Sequence, residues 1–468
     1  MENGGGWQAA GPATFLGSEG RLRFRTPDGR AFERTIQGVL GERILYDGER
    51  GWMWDCNGAS RRLELFDLES PVLSTSVLTG AWRAHEAPVA FRHAGSGADV
   101  VEAGTLRALR LGRLDAHLVV DQGSGLPTSL RYRSASGPVT WSFDDHRAIE
   151  GWPVPLHVTQ SLGDDEILRF DLVDVGPYAG ESGFDEPHGH PRDFDLDLEA
   201  PSRLEVRRGP HGHLLVRVRV GDGDPEWWIL DSGASGSTIA PASAARAGLP
   251  AIGTIIVRSV LGPTRSSVHA ASSLSVGPLV LHDLRLAGFD LAPFGDVFGV
   301  EIGGVLGFDL FRRATVAVEP TTDDVRLFPI GWTGPSDLDV RRERLVLHLG
   351  HPVIEGRLEG RAARFRLDLG MGGNGVIVHA PTTSGWRLLG GRATEPTAIG
   401  AAEARSGQVA SLEFAGREWT DVATVFAVGG DGPFDDPHVE ATIGVGLLDG
   451  LRVLLDYAGG RITFSEVG

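Results

Sequence analysis

Lysine is missing altogether, so every one of the 44 basic residues is an arginine, and 62 acidic residues leave a formal net charge of −18. An acidic chain of this kind argues against nucleic acid or an anionic membrane surface as partner. Cysteine is nearly missing too. Cys56 stands alone, which excludes an intrachain disulfide, and no histidine at a telling spacing poises it as a nucleophile; it reads as a small buried apolar residue. No apolar run is long enough to cross a bilayer, so no integral membrane segment is expected. The first seven residues, Met-Glu-Asn-Gly-Gly-Gly-Trp, lack the basic and apolar regions of a leader. A periplasmic or exported location therefore requires a leader left out of this chain, and a cytoplasmic one follows otherwise.

What is present is a paragraph written twice. Trp-Ile-Leu-Asp-Ser-Gly-Ala-Ser occupies 228–235 and Phe-Arg-Leu-Asp-Leu-Gly-Met-Gly occupies 365–372. Each is followed by an apolar-Gly segment at the same distance, 76 positions from aspartate to glycine (Asp231 to Gly307, 307 − 231; Asp368 to Gly444, 444 − 368). One offset of 137 (368 − 231) superposes both landmarks without a gap. It also pairs Val216 with Val353, Leu230 with Leu367, Leu306 with Ile443, Val316 with Val453 and Glu319 with Asp456. Internal repetition fixes architecture before any other feature, and two copies mean two facing lobes. Each copy reads as β: an alternating run, Asp-x-Gly at a strand end, short strands, then an apolar-Gly turn and a closing strand.

At 468 residues the chain exceeds one ordinary core, and about 150 residues per domain suggests three. Residues 1–175 are Trp-rich and strand-like, with turns such as Asp47-Gly48 and Asn57-Gly58, and are expected to form an antiparallel β sheet. Residues 176–200 turn to Gly, Pro, Asp, Glu and His and read as an acidic linker. The first lobe is expected over 201–335 and the second over 336–468. Helices should be few, with 241–247 and 309–313 the best short candidates.

Two carboxylates held close together in a desolvated cleft cannot both ionise, so the pair keeps one proton and can activate a water between them. No metal and no organic cofactor is needed. The glycine after Asp-x permits the turn that presents each carboxylate to loop amides.

On these motifs residues 201–468 resemble the aspartic peptidases, closer to a fused pair of retropepsin-like lobes than to a eukaryotic pepsin. The first loop, Asp231-Ser232-Gly233-Ala234, has the retropepsin form, and 304–311, Gly-Val-Leu-Gly-Phe-Asp-Leu-Phe, is similar to the family's apolar-apolar-Gly segment. The resemblance implies a mainly β, bilobal double-barrel fold, Asp231 and Asp368 as the catalytic dyad, and a peptide or protein substrate bound in extended form. It implies that Ser232 hydrogen-bonds across to the other lobe, and that Gly233, Ala234, Leu369 and Gly370 support the active-site loops. Flap hairpins are expected around Leu261 and Gly262 and around Ile399 and Gly400, without a pepsin-type tyrosine. The second lobe departs from the pattern: Leu369 replaces the family's Thr or Ser, and Met371 replaces Ala or a hydroxyl residue. Residues 119–127 and 139–155 are in turn similar to bacterial lipoprotein-carrier (LolA-like) domains, antiparallel β half-barrels that shelter an apolar ligand and that precede some aspartic peptidase domains. The expected activity is an aspartic endopeptidase, one dedicated to processing a precursor being as compatible as general degradation. The rival is an inactive peptidase-like module that binds a peptide or apolar ligand.

Three other patterns carry less. Gly370, Gly372 and Gly375 satisfy G-x-G-x-x-G, but the β-branched, Pro-interrupted run after them is not the helix a phosphate site requires. Ser235 and Ser237 do not complete G-x-S-x-G. His188, His190, Asp185, Glu186 and Asp193 read as a solvated loop rather than a metal site, and Trp52, Trp54, Trp82, Trp141 and Trp152 read mostly as core.

Overall fold

The computed structural model describes residues 6–467 apart from 84–89, 94–99, 105–115, 135–136, 181–183, 185–190, 192, 261, 335–339, 374, 390–394, 400–401 and 430–431. The chain forms two compact units, Met1–Cys56 with Ser60–Gly189, and Asn57–Ala59 with His190–Gly468. It is mainly β, and its strands close two six-stranded barrels, as a double-barrel bilobal fold requires.

The first unit is one large antiparallel sheet in which most strands pair with their chain neighbours; Trp7–Phe15 lies between Ser18–Thr26 and Asp165–Asp171. Period-two burial is clear in Gly137–Ile149, where Val139, Trp141 and Phe143 point inward, as alternation predicts. No periodic pattern announces the helix Phe66–Leu78, in which twelve of thirteen residues are buried. A helix buried nearly all round shows no amphipathic stripe, and its Ser, Thr, Val and internal Pro71 lower its propensity. Trp52 and Trp141 belong to the core, while Trp54, Trp82 and Trp152 are partly exposed.

The second unit carries the repeat. Strand Glu226–Leu230 runs parallel to Ile302–Leu306, and Arg361–Asp368 runs parallel to Ala441–Gly444. Leu230 pairs with Leu306 and Leu367 with Ile443, so the 137 offset holds for both partners at once. Near-continuous apolar runs suit these strands because parallel pairs are covered on both faces. A short strand, Thr238–Ile239 in one copy and Val376–Val378 in the other, lies antiparallel to the far side of each pair. The copies then share a five-stranded sheet in which Thr315–Glu319 pairs antiparallel with Leu451–Asp456. Ala317 faces Leu454 there, two residues 137 apart (454 − 317), so the pseudo-two-fold axis passes through that pair. Each copy also extends a hairpin, Ala251–Ser259 with Gly262–Val276 and Glu395–Ile399 with Ala402–Phe414. Helices form at Pro241–Arg246 and Phe308–Phe311, close to the expected positions, and also at Ala292–Phe298 and Ala380–Gly385.

The copies solve one packing problem in two ways. Gly304 lies between the Thr238 carbonyl and Trp228, and a Cβ on it would come within 2.4 Å of that oxygen and within 2.5 and 2.6 Å of the indole Cε3 and Cζ3. In the second copy the smaller Phe365 leaves room for Ala441, with which it pairs. Gly304→Ala should therefore cost about 3 kcal/mol, the upper range for overpacking, in a urea titration. Adding Trp228→Phe should recover at least about 1 kcal/mol of that loss; a purely additive double variant would refute the account.

Candidate active site

Each aspartate ends a central parallel strand, where the backbone leaves the sheet and turns back over the apolar-Gly segment of its own copy. The Asp231 amide donates to the Leu306 carbonyl at 3.0 Å, and the Phe308 amide to the Ala234 carbonyl at 3.1 Å. In the second copy the Val445 amide donates to the Met371 carbonyl at 2.9 Å. The glycine of each apolar-Gly segment lies close under the loop: a Cβ at Gly307 would sit 2.7 Å from the Gly236 carbonyl oxygen, and one at Gly444 2.8 Å from that of Met371.

The two loops meet at the axis. A Cβ on Gly233 would come within 2.5 and 2.6 Å of the Asp368 carboxylate oxygens, and one on Gly370 within 2.6 Å of both oxygens of Asp231. Each carboxylate thus rests on the glycine of the opposite loop, and the two carboxyls hydrogen-bond to each other. The Gly233 amide donates to Asp231 Oδ1 at 2.7 Å and the Met371 amide to Asp368 Oδ1 at 3.0 Å.

Burial raises the pKa of both groups, well above the ordinary carboxylate value for Asp231, where the adjacent charge of Asp368 adds to it. Each side chain keeps an exposed edge, so desolvation is incomplete. The loop amides oppose the rise at both, and at Asp368 so do the hydrogen bond from Asp231 and the positive charge of Arg366. An arrangement of this kind holds one proton between two acids and can polarise a water and a carbonyl together.

The grip between the loops is one-sided. Ser232 Oγ donates to the Leu367 carbonyl at 2.8 Å and accepts from the Leu369 amide at 3.0 Å. Leu369 is fully buried in the main core and has no hydroxyl with which to return those bonds. Tyr457 instead reaches the first loop, its hydroxyl 3.3 Å from the Ser232 carbonyl. Burial, followed by the charges of Asp231 and Asp368, pushes its phenol well above its ordinary pKa, so it remains a donor. Nothing in the sequence marked Tyr457, whose repeat counterpart is Pro320.

Of the residues expected at the flap tips, Gly262 opens its strand opposite Ser259, and Ile399 closes its strand opposite Ala402. Leu261 and Gly400 lie outside the described residues, as do His188, His190, Asp185 and Glu186. Asp193 is held by Arg313 Nε at 3.0 Å. After Gly370, Gly372 and Gly375 come the strand Val376–Val378 and then a six-residue helix.

A second polar cluster lies inside the second copy, where the first has the apolar cluster around Ile229 and Leu215. His348, Asp436 and His438 are fully buried, and their ligand-type atoms lie within 4.8 Å of one another. His348 Nε2 bonds Asp436 Oδ2 at 2.9 Å, the His438 amide donates to Oδ1 at 2.8 Å, and Arg366 Nη2 reaches Oδ2 at 3.4 Å. These residues have the spacing of metal ligands, but Arg366 already balances the carboxylate, and a divalent cation would add uncompensated charge to a dry core. The group is better described as a buried ion-pair network. The sequence carried one signal for it: the offset sets Arg366 against Ile229.

A family model covers the first of the two loops. Residues 216–310 match the family model of the aspartyl proteases. That span is an aspartic protease-like region and contains Asp231 and Gly307. No curated protein matches the chain in sequence. Among solved structures, basic 7S globulin from soybean is similar at 11% identity and a TM-score of 0.36, over 59% of this chain and 95% of that one.

Two outcomes follow from this geometry. Ser232→Ala leaves the Leu367 carbonyl and the Leu369 amide buried without their partner and should cost about 2 kcal/mol in equilibrium unfolding, while Ser232→Thr keeps most of the stability. The second concerns acid. Burial, then the charge of Arg366, lowers the pKa of His379 from 6.5 to about 3. The unfolded chain therefore takes up that proton first, and stability falls as pH drops from 6.5 towards about 3. Burial alone would raise Asp436, but the charge and hydrogen bond of His348, His438 and Arg366 outweigh it and hold the carboxyl well below its ordinary value. Its contribution is present above the unfolded carboxylate pKa and is lost as pH falls through the lower folded one. Melting temperature should fall steadily on acidification, and His379→Gln should flatten the decline between about pH 6 and about pH 4.

Proposed function

We propose that the chain is an aspartic endopeptidase with both lobes in one polypeptide, using Asp231 and Asp368 on a peptide held in extended form. The observation that carries this reading is the crossed contact of the two loops, each carboxylate seated on the glycine of the other. Water gives a proton to the ionised aspartate as its oxygen bonds to the scissile carbonyl carbon, and the protonated aspartate gives its proton to the carbonyl oxygen. The resulting neutral diol collapses with rupture of the C–N bond. One diol hydroxyl returns its proton to the dyad, and the leaving nitrogen takes a proton from the other acid. Hairpin edges near 262 and 399 supply backbone partners for an added strand.

The same reading divides the chain into an N-terminal domain over 1–175, an acidic linker over 176–200 and lobes over 201–335 and 336–468. It assigns the N-terminal domain a lipoprotein-carrier-like character, holding an apolar ligand or presenting the substrate. Support comes from an antiparallel sheet with one buried helix. A bacterial precursor-processing role belongs to the same reading. The rival is a peptidase-like module that binds without cutting, and Leu369 favours it, because the second loop lacks the hydroxyl that would complete the grip.

The test is cleavage of a diverse peptide mixture from about pH 3 to about pH 8, read by mass spectrometry, with Asp231→Asn and Asp368→Asn as controls. The rate should follow a bell centred at acidic pH, since the pair titrates as a unit, and either substitution should remove at least about 99% of it. A rate still rising past neutral pH sinks the mechanism. Absence of cleavage together with absence of tight acid-dependent binding of a pepstatin-type inhibitor would favour the rival, because that binding requires an assembled dyad.

A further inference from the structure

The two copies differ most sharply directly beneath the aspartates. Ile229 and Arg366 are repeat equivalents (366 − 229 = 137), each two residues before its aspartate on the central strand, paired with Val305 and Thr442 respectively. Both are buried, Ile229 at 7% exposure and Arg366 at 3%. Residues two apart on a strand share a face, so each lies on the side of the sheet its aspartate occupies. One carboxylate therefore has a hydrocarbon neighbour and the other a guanidinium.

That guanidinium is fixed. Nη1 donates to the Pro433 carbonyl at 3.2 Å and Nη2 to Asp436 Oδ2 at 3.4 Å, while His348 holds the same carboxylate oxygen at 2.9 Å. Burying such a network in place of the first copy's apolar cluster costs desolvation that well-packed hydrocarbon avoids.

We propose that Arg366, anchored by Asp436 and His348, is a positioning residue that fixes the negative charge of the aspartate pair on Asp368 and leaves the proton on Asp231. This rests on the endopeptidase reading and gives it a direction: Asp368 is the base that takes the proton from water, and Asp231 is the acid that protonates the carbonyl oxygen. The charged and titratable groups facing the pair are consistent with it. Arg366 is among the leading influences on Asp368, two residues along its strand, while Tyr457 feels the charge of both aspartates. Around Arg366 stand Asp436, His348, His438 and His379. His379 stays neutral down to about pH 3 and Asp436 stays ionised, so the Arg366–Asp436 pair persists through the acid range.

The test separates this inference from the activity. Aspartate labelled with carbon-13 at the carboxyl is followed by NMR titration of the full chain carrying Asp231→Asn, where Asp368 remains, and Asp368→Asn, where Asp231 remains. The signals are assigned by difference. Asp368 should titrate below Asp231; equal or reversed order overturns the proposal, and no substitution in the core is needed to learn it. Arg366→Met with Asp436→Leu then removes both members of the ion pair and should close the gap, while Arg366→Lys should keep it open. A gap that survives the removal also overturns the proposal.

Where cleavage is measurable, the acid limb of kcat/KM should move to higher pH in the Met/Leu variant, lowering the relative rate on that limb about three- to tenfold. A rate lost uniformly, with the limb unmoved, would assign Arg366 a merely structural part. Absence of cleavage in the native chain with the NMR order intact would defeat the endopeptidase reading and leave the charge assignment standing.

Discussion

Two carboxylates in contact cannot both carry charge, and the architecture of the second unit follows from holding them there. Each carboxylate needs the opposite loop to present a glycine, since a Cβ at Gly233 or Gly370 would occupy the space of the carboxyl oxygens. The loops in turn need the apolar-Gly segments beneath them, and those segments need parallel pairing with the strands that deliver the aspartates. The shared sheet, with Ala317 against Leu454 at the axis, fixes the distance between the copies. A change in any layer is felt at the carboxyls because the layers are close-packed.

A symmetric frame makes departures from symmetry informative. Ser232 bridges to the second loop with two bonds that Leu369 cannot return. Tyr457 meets the first loop from the second copy's C-terminal strands, a contact for which the first copy has no counterpart because Pro320 occupies that position. Arg366 stands where the first copy places Ile229 in an apolar cluster. The first copy therefore contributes the hydroxyl of the grip, and the second contributes the phenol and the cation. Two identical chains could not divide these tasks, because each would carry the same residues; one chain with two diverged copies can.

The frame was legible in the sequence because the offset of 137 records pairing geometry directly: residues that must share a register must keep their spacing. Asp231, Asp368, Gly307 and Gly444 were legible for that reason, as were the closing strands at the axis and the short helices near 241 and 309. What escaped notice left no periodic trace. The helix Phe66–Leu78 is buried on all sides, so no stripe marked it. Asp436 and His438 come from a loop and His348 from a distant strand, and only the folded chain makes them neighbours. Arg366 was visible as a mismatch with Ile229, but a mismatch in a repeat has meaning only once both positions are known to be buried.

The buried network also limits the site it serves. Burial raises the pKa of both aspartates, so on acidification the pair gains a second proton and loses the ionised carboxylate that the chemistry needs. The fold is sensitive to acid as well. His379 resists protonation and Asp436 must remain charged, and each of these loses free energy to the unfolded chain as protons are added. On the acid side the conditions favouring a singly protonated pair and those favouring the native core therefore run in the same direction. Under the endopeptidase reading, the lower bound of the working range is set by whichever fails first.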